Sequence, residues 1–432
     1  MDAPSCNALP DLRGGQGILE QLERENLFVT SLDPDRRWYR YHHLFREFLL
    51  GKLRRENQEL LTRLHQRAGD YYELQGELEA AFSHFIHAEA PLAAARVLSV
   101  FAPKFVEQGR VDVLHRYLNA LPEETLRASP ALLIERGDVL RRMGQAGTAA
   151  TSYEDGRTVY EEMDDAQGIC RALTRLSELY RAQGNYRQAQ GIAETALTYS
   201  SEQDPAGRAN VLMALAKSVG FLTGMDAGRA LAEQALTETR RAGSQISHLA
   251  QANLLQSLGQ ICWWHGDPQA TVHYCQEALH LAGEATTPLA ARACIMMATP
   301  YLYWRDFKTA LQYAERGLEI AQTLHLNEIL PGAYTMLGNV LTRLGETARA
   351  ESTLRQAMDM ANQLGLASYE RVMAIGYLAY NLYGQGRVDE ARQLAEGALW
   401  AYPADTYEIF VCRSVLADIV LERGHLEQAE TL

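Results

Sequence analysis

Few of the side chains that carry chemistry stand at the spacings chemistry needs. His84 and His87 lie three residues apart, as two metal ligands on one helix face would, yet no third or fourth ligand follows nearby in sequence. No serine, cysteine or threonine is placed against a histidine and a carboxylate at a recognisable spacing. No G-x-x-x-x-G-K-[ST] phosphate loop occurs. These observations predict a protein that is not an enzyme and holds no metal. What remains is a set of polar groups at regular intervals: Asn253, Gln256, Gln260, Arg292, Thr299, Thr335, Asn339 and Tyr380. Amides, hydroxyls, one guanidinium and an aromatic face are the inventory of a site for a small polar effector or a peptide.

The regular intervals come from the elements that carry these groups. Residues 254–279, LLQSLGQICWWHGDPQATVHYCQEAL, read as two helices facing each other across a turn at Gly266-Asp267-Pro268. The pattern recurs with turn residues at Gly144, Gly184, Thr223, Gly266, Arg305, Gly345, Gly386 and Gly424, 38 to 43 residues apart. Seven residues before each turn stand Gly137, Ser177, Ala216, Gly259, Ala298, Gly338, Ala379 and Ala417, all small. Five residues after stand Ala149, Ala189, Gly228, Thr271, Ala310, Ala350, Ala391 and Ala429, again without bulk. Two helices approach closely only where facing side chains are small, so eight units obeying one rule predict stacked helical hairpins. The period is that of a tetratricopeptide (TPR) array lengthened by about six residues per repeat. Such an array turns its first helices toward a groove, on the stripe six, ten and thirteen residues before the turn. The first of these rows reads Asp138, Glu178, Lys217, Gln260, Thr299, Asn339, Tyr380, Asp418; the other two supply Asn210, Asn253, Gln256, Arg292 and Thr335.

Composition narrows the partners. The chain has 432 residues and a formal net charge of −13, which argues against a general nucleic-acid or anionic-membrane surface. Residues 1–67 hold 11 Lys+Arg against 10 Asp+Glu, so the acidity lies in the remainder. The cysteines, Cys6, Cys170, Cys262, Cys275, Cys294 and Cys412, form no C-x-x-C pair and read as small core residues of a reduced, cytoplasmic protein. No apolar run approaches the roughly 18 residues of a membrane span, and Met1–Asn7 lack the basic start and apolar core of a signal peptide. Trp263 and Trp264 stand just before a turn, where aromatics seal a hairpin.

The beginning of the chain differs. A short amphipathic helix over 17–26, a strand over Leu27–Leu32, turn residues Asp33–Arg37, a return strand Trp38–His42 and a helix from His43 have the order of the back half of a winged helix. The stretch NLFVTSLD at 26–33 with RWYRYHHLFREFL at 37–49, then LHQRAGDYY at 64–72, GELEAAFSHF at 76–85 and GRVDVLHRYLNALP at 109–122, resembles the large ATP-binding LuxR-family regulators of the MalT-like group. That resemblance implies a longer parent, with a signal-transducing NTPase ahead, a helical-repeat sensor and a DNA-reading helix-turn-helix behind. It also implies ATP or ADP with magnesium in the parent, none held by this chain, and self-association of the parent rather than direct nucleic-acid binding here. Tyr41-His42-His43-Leu44 is similar to the Met-His-Asp-Leu motif of related NTPases, whose histidine contacts the phosphate of bound ADP. By that match His42 is the nucleotide-sensing residue.

The expected architecture is therefore all-α: a TPR-like superhelix preceded by a partial winged-helix segment with a small β-hairpin. The expected divisions are a winged-helix segment at 1–53, irregular helices at 54–122 and the repeat array at 123–432. The expected function is effector sensing within a MalT-like activator; a free-standing TPR scaffold for a protein or peptide is the alternative.

Overall fold

The computed structural model describes residues 15–34, 39–243, 246–283, 286–363, 369–401 and 409–431. Cys6, the segment Met1–Asn7, and Arg37 and Trp38 of the expected turn and return strand lie outside the described residues. The chain divides into two compact units, residues 1–103 with 114–132, and residues 104–113 with 133–432.

In the first unit, helix α1 (Gly15–Arg24) leads into strands β1 (Val29–Ser31) and β2 (Tyr39–Tyr41). The strands pair antiparallel, with Val29 opposite Tyr41 and Ser31 opposite Tyr39. Alternation along the strands turns Val29 and Tyr39 inward onto Leu19 of α1, where all three are buried. Helix α2 (His43–Glu56) follows directly and buries none of its residues; Leu44 and Phe48 are 62% and 58% exposed. Helices α3 (Gln58–Leu74) and α4 (Leu78–His87) form a hairpin in which the Phe85 ring lies over Gly69.

Across that hairpin His65 Nδ1 stands 2.9 Å from His84 Nδ1, and the His87 ring stacks 5.1 Å from His65. His65 is thus a third histidine that the sequence spacing does not reveal. An N–H···N bond between imidazoles needs one neutral acceptor, and burial with the neighbouring rings lowers the His84 pKa to about 4. Among the described residues no histidine, cysteine and carboxylate group has the arrangement to hold a metal ion.

Helix α5 (Pro91–Glu107) starts at Pro91 and carries Pro103 inside it. The missing hydrogen bond costs about 3 kcal/mol. The buried face of Ala94, Ala95, Leu98, Phe101, Ala102 and Phe105 outweighs that loss. Helices α6 (Val111–Asn119) and α7 (Glu123–Arg127) complete the run before the array.

The second unit is a stack of eight hairpins. The first four are α8 (Pro130–Arg142) with α9 (Ala146–Glu162), α10 (Ala166–Ala182) with α11 (Tyr186–Tyr199), α12 (Pro205–Leu222) with α13 (Met225–Ala242), and α14 (His248–Trp264) with α15 (Pro268–Ala282). The last four are α16 (Pro288–Tyr303) with α17 (Phe307–Thr323), α18 (Leu330–Leu344) with α19 (Thr347–Gln363), α20 (Tyr369–Gly384) with α21 (Val388–Ala401), and α22 (Phe410–Glu422) with α23 (Leu426–Thr431). Asp165, Asp204, Ser247, Asp267, Thr287 and Asp306 cap helix starts by accepting a backbone N–H three residues on, and proline follows the cap at 205, 268 and 288. Each hairpin turn needs one residue in the left-handed region: Gly144, Gly184, Gly266, Gly345, Gly386 and Gly424 supply it, and Arg305 adopts it at φ +64°. The third turn departs from expectation by one residue. Thr223 is the helix cap and Gly224, at φ +128°, bends the chain.

The small positions meet as the sequence rule requires. Ser177 donates its hydroxyl to the Ala189 carbonyl at 2.7 Å, joining the two small positions of one hairpin. A Cβ on Gly259 would stand 3.0 Å from Cys275 Sγ, and one on Gly228 would stand 2.8 Å from the Ala216 carbonyl oxygen. Ala298, Ala310, Ala350, Ala379 and Ala391 are fully buried; Ala417 and Ala429 are half-buried. The five described cysteines are buried thiols, pushed up to between about 11 and about 12 by desolvation at Cys170, Cys262, Cys275 and Cys412. No helix among the described residues is long and apolar enough to cross a membrane.

The packing rule can be tested with two glycines of opposite surroundings. A side chain at Gly338 runs into Leu354, which is fully buried, whereas Gly191 has open space around it in the middle of α11. Gly338→Leu is expected to lower unfolding stability by roughly 1–3 kcal/mol or more through overpacking. Gly191→Ala is expected to raise it by about 0.5–1 kcal/mol through helix propensity. Equal effects of the two changes in urea unfolding would refute the register of small residues.

Candidate functional site

The first helices of the hairpins turn one stripe each toward a groove of about 830 Å³ within the second unit. Seven of the eight expected residues line it: Asn253, Gln256, Gln260, Arg292, Thr299, Thr335 and Tyr380. Asn339 does not; it is 5% exposed, and its Oδ1 has no hydrogen-bond partner.

The seven differ in what they offer a ligand. Arg292 Nη2 donates to Asn253 Oδ1 at 2.9 Å, and Asn253 Nδ2 donates to the Leu249 carbonyl at 2.9 Å. Thr335 spends its hydroxyl proton on the Pro331 carbonyl of its own helix at 2.8 Å. Arg343 donates to the Tyr380 hydroxyl at 2.8 Å, with its guanidinium carbon 4.4 Å from the ring centroid. The side-chain amides of Gln256 and Gln260 have no hydrogen-bond partner among the described residues, so both are open to a ligand.

The sequence stripe stopped one helical turn short. Three and two residues before the turn, the same face carries Arg141 and Arg142 on α8, Arg181 on α10, Trp263 and Trp264 on α14 and Arg343 on α18, and all line the groove. Trp264 is buried in the core of its hairpin and Trp263 packs against that core, as expected of seals; both also line the groove, with Trp263 edge-on to Tyr303 at 6.5 Å between centroids. Periodicity alone could have found this row. Glu328, in the connection before α18, had no such signal.

Electrostatically the groove is crowded. Arg175 Nε stands 3.2 Å from Asp138 Oδ2 and donates through Nη1 to Glu178 Oε2 at 3.0 Å. Asp138 also accepts the Tyr153 hydroxyl at 2.7 Å. Arg141 and Arg142 approach the two oxygens of Glu328 at 3.4 and 3.8 Å, a clasp between residues 187 positions apart. Burial works against the charges of Asp138, Glu178 and Glu328, but the neighbouring guanidiniums outweigh it and hold all three carboxyls below their usual range. Lys217 fares differently. Its Nζ donates only to Ser257 Oγ, at 2.8 Å; burial, then the Arg181 charge, lowers it to about 7. Arg292 is lowered to about 10 by burial and by Arg142.

His42, the expected nucleotide-sensing residue, belongs to the first unit. It stands exposed at the start of α2, its backbone N–H donating to the Phe28 carbonyl at 2.7 Å and its ring 4.6 Å from that of His43.

Comparison with known families places this architecture. The family description "MalT winged helix domain" matches residues 1–61, and "MalT-like TPR region" matches residues 171–432, more than half of the chain. The chain belongs to the MalT-like TPR family. Among solved structures, a Signal Transduction ATPase with Numerous Domains (STAND) protein with a tetratricopeptide repeat sensor from Pyrococcus horikoshii is similar at 15% identity and a TM-score of 0.57. The match covers 97% of this chain and 62% of that one, so the MalT-like chain spans less than two thirds of that protein's length. BtubC from P. vanneervenii matches at 20% identity and a TM-score of 0.39, over 52% of this chain and 91% of its own. A MalT winged helix joined to a MalT-like TPR region makes this chain a regulatory sensor or interaction region.

Lys217 allows a direct test of the groove's electrostatics in the MalT-like array. An unfolded lysine titrates near 10.5 and the folded one near 7, so between these values the unfolded chain binds more protons. The penalty of this ammonium is full below pH 7 and fades as pH rises toward 10.5. Lys217→Met is therefore expected to raise the thermal midpoint at pH 7, with a smaller gain at pH 9.5. A gain of equal size at both values, or a loss at pH 7, contradicts this electrostatic assignment.

Proposed function

We propose that this chain is the effector-sensing region of a MalT-like, ATP-dependent transcriptional activator, and that the groove of the repeat array is its effector site. The supporting observation is the groove itself: about 830 Å³, the size of a small-molecule site, with two unpartnered amides, Gln256 and Gln260, on its wall. A buried donor left unpaired costs about 1–3 kcal/mol, so a ligand that satisfies these amides is favoured over one that does not. The effector would act by binding one conformation of the regulator better than the other, since equal affinity shifts nothing.

A thermal-shift screen of sugars, nucleosides, amino acids and short peptides tests this reading. At least one small polar compound is expected to raise the midpoint, and Gln260→Ala is expected to weaken it about tenfold while leaving the fold intact. A hit indifferent to Gln260→Ala, or a response to peptides alone, would instead favour a protein-docking scaffold.

For His42 we propose contact with the ADP phosphate of the NTPase in the full-length regulator, where ATP or ADP and magnesium would be held. The exposed imidazole beside the uncovered Phe28, Leu44 and Phe48 supports that role, because this face of α2 is available to a neighbouring domain. In the full-length regulator, His42→Ala is expected to speed ADP release and raise basal transcription. Unchanged ADP release in that variant would remove His42 from the nucleotide.

A further inference from the structure

The groove's charged groups divide into those that are matched and those that are not. Arg141, Arg142 and Arg175 are set against three carboxylates, Glu328, Asp138 and Glu178. Arg181, Lys217 and Arg292 form no ion pair with a carboxylate among the described residues. Lys217 has only the Ser257 hydroxyl, Arg292 only the Asn253 amide oxygen, and the buried Nε of Arg181 has no partner. Repulsion acts on two of them: Arg181 and Arg292 disfavour the charge on Lys217 against the pull of Glu178, and Arg142 and Arg141 disfavour that on Arg292 against the pull of Glu328 and Glu178. Three unmatched cations stand in one groove of a chain whose net charge is −13. Nothing in the packing requires them, because an apolar side chain would fill the same space without the repulsion.

The wall beyond them changes character. On α16 the turns after Arg292 present Ile295, Met296 and Thr299, and on α14 Trp263 follows Ser257, the partner of Lys217, by six residues. Six residues of helix rise about 9 Å, so the cations and the indole are separated by the length of a small organic molecule. We propose that Arg181, Lys217 and Arg292 form an anion subsite, and that the groove's ligand joins a phosphate or carboxylate group to an apolar, aromatic-sized body lying against Trp263 and Met296. Guanidinium groups suit this task because they bind both oxyanions through paired N–H donors, and the surrounding protein strengthens each contact.

The inference rests on the reading of the groove as an effector site, and the test separates the two. Three probes share one ring system and differ in charge: 1-naphthyl phosphate, 1-naphthoate and neutral 1-naphthol. Their binding to the whole chain is measured by isothermal titration calorimetry at two salt concentrations. The anions are expected to bind at least about tenfold more tightly than the naphthol, with an advantage that shrinks as salt rises. The ratio of phosphate to carboxylate affinity then says which oxyanion the subsite fits. Arg292→Gln and Lys217→Gln are each expected to remove most of the anion's advantage while leaving naphthol binding unchanged. Arg349→Gln, which breaks exposed ion pairs to Glu346 and Glu315, is expected to change nothing. Equal affinity for the three probes, no binding of the anions, or anion binding indifferent to both groove variants would overturn the subsite. If a neutral sugar or nucleoside still binds in a Gln260-dependent way, the effector reading survives that failure. If no small compound of any charge binds the groove, both fall.

Discussion

The close approach of two helices at a pair of small residues is the contact on which the array depends. Where Gly338 faces Leu354, or Ser177 bonds to the Ala189 carbonyl, the helices of a hairpin are held without bulk between them. That spacing fixes which face of each first helix is left over. With the small position packed inward, the residue one place further along the helix turns toward the groove: Glu178 after Ser177, Lys217 after Ala216, Gln260 after Gly259 and Tyr380 after Ala379. Structure and site are thus the same pattern read one residue apart, and a substitution that spreads a hairpin also rotates its groove residue.

The groove asks for groups that the fold alone would not keep. Matched pairs such as Arg175 with Asp138 and Glu178 recover part of their desolvation cost through each other. An ammonium pressed to about 7 by burial and by a neighbouring guanidinium recovers little. Strongly shifted, unmatched groups gathered in a cleft are the signature of a site that trades stability for binding. The hairpins are where the compensating stability lies, in fully buried seams such as Leu255, Leu258, Ile261 and Cys262 around Ala232, Ala235 and Ala278.

Much of this was legible in the sequence, because helical repeats make the problem local. Each hairpin's turn, its two small positions and its groove residue recur at fixed offsets, so eight noisy copies define one register. The departures have local causes too. Gly224 rather than Thr223 bends the third turn because Gly228 packs against Gly220 and Ala216 with almost no gap, and the glycine tolerates the backbone this needs. Proline breaks helices in isolation, yet Pro103 lies inside α5 because the helix's apolar face overrides that preference. The groove continues one turn past the expected stripe, to Arg141, Arg181 and Trp263, because the same helix face runs on to the hairpin turn. Asn339 holds the same offset as Gln260 but is buried and does not line the groove. The clasp from Arg141 and Arg142 to Glu328 was not legible at all. It depends on small rotations summed over successive repeats, which no single repeat encodes.

That clasp suggests how a ligand could matter mechanically. Stacked repeats contact chiefly their neighbours, so their superhelix bends through many small adjustments rather than one hinge. Contacts that skip repeats hold a particular curvature. Two stand out in the second unit: Glu328 with Arg141 and Arg142, and the Gly109 turn, where a Cβ would meet Leu326 and Pro288 at 3.2 and 3.3 Å. Both bring early residues of the unit against the connection between α17 and α18. Arg292, which feels the charge of Glu328 without pairing to it, lies where the proposed oxyanion would compete with Glu328 for the nearby cations. On the proposed reading, a ligand in the groove would act on the contacts that set curvature as well as on the stripe that recognises it. Differential affinity for two curvatures is the quantity that would convert recognition into regulation.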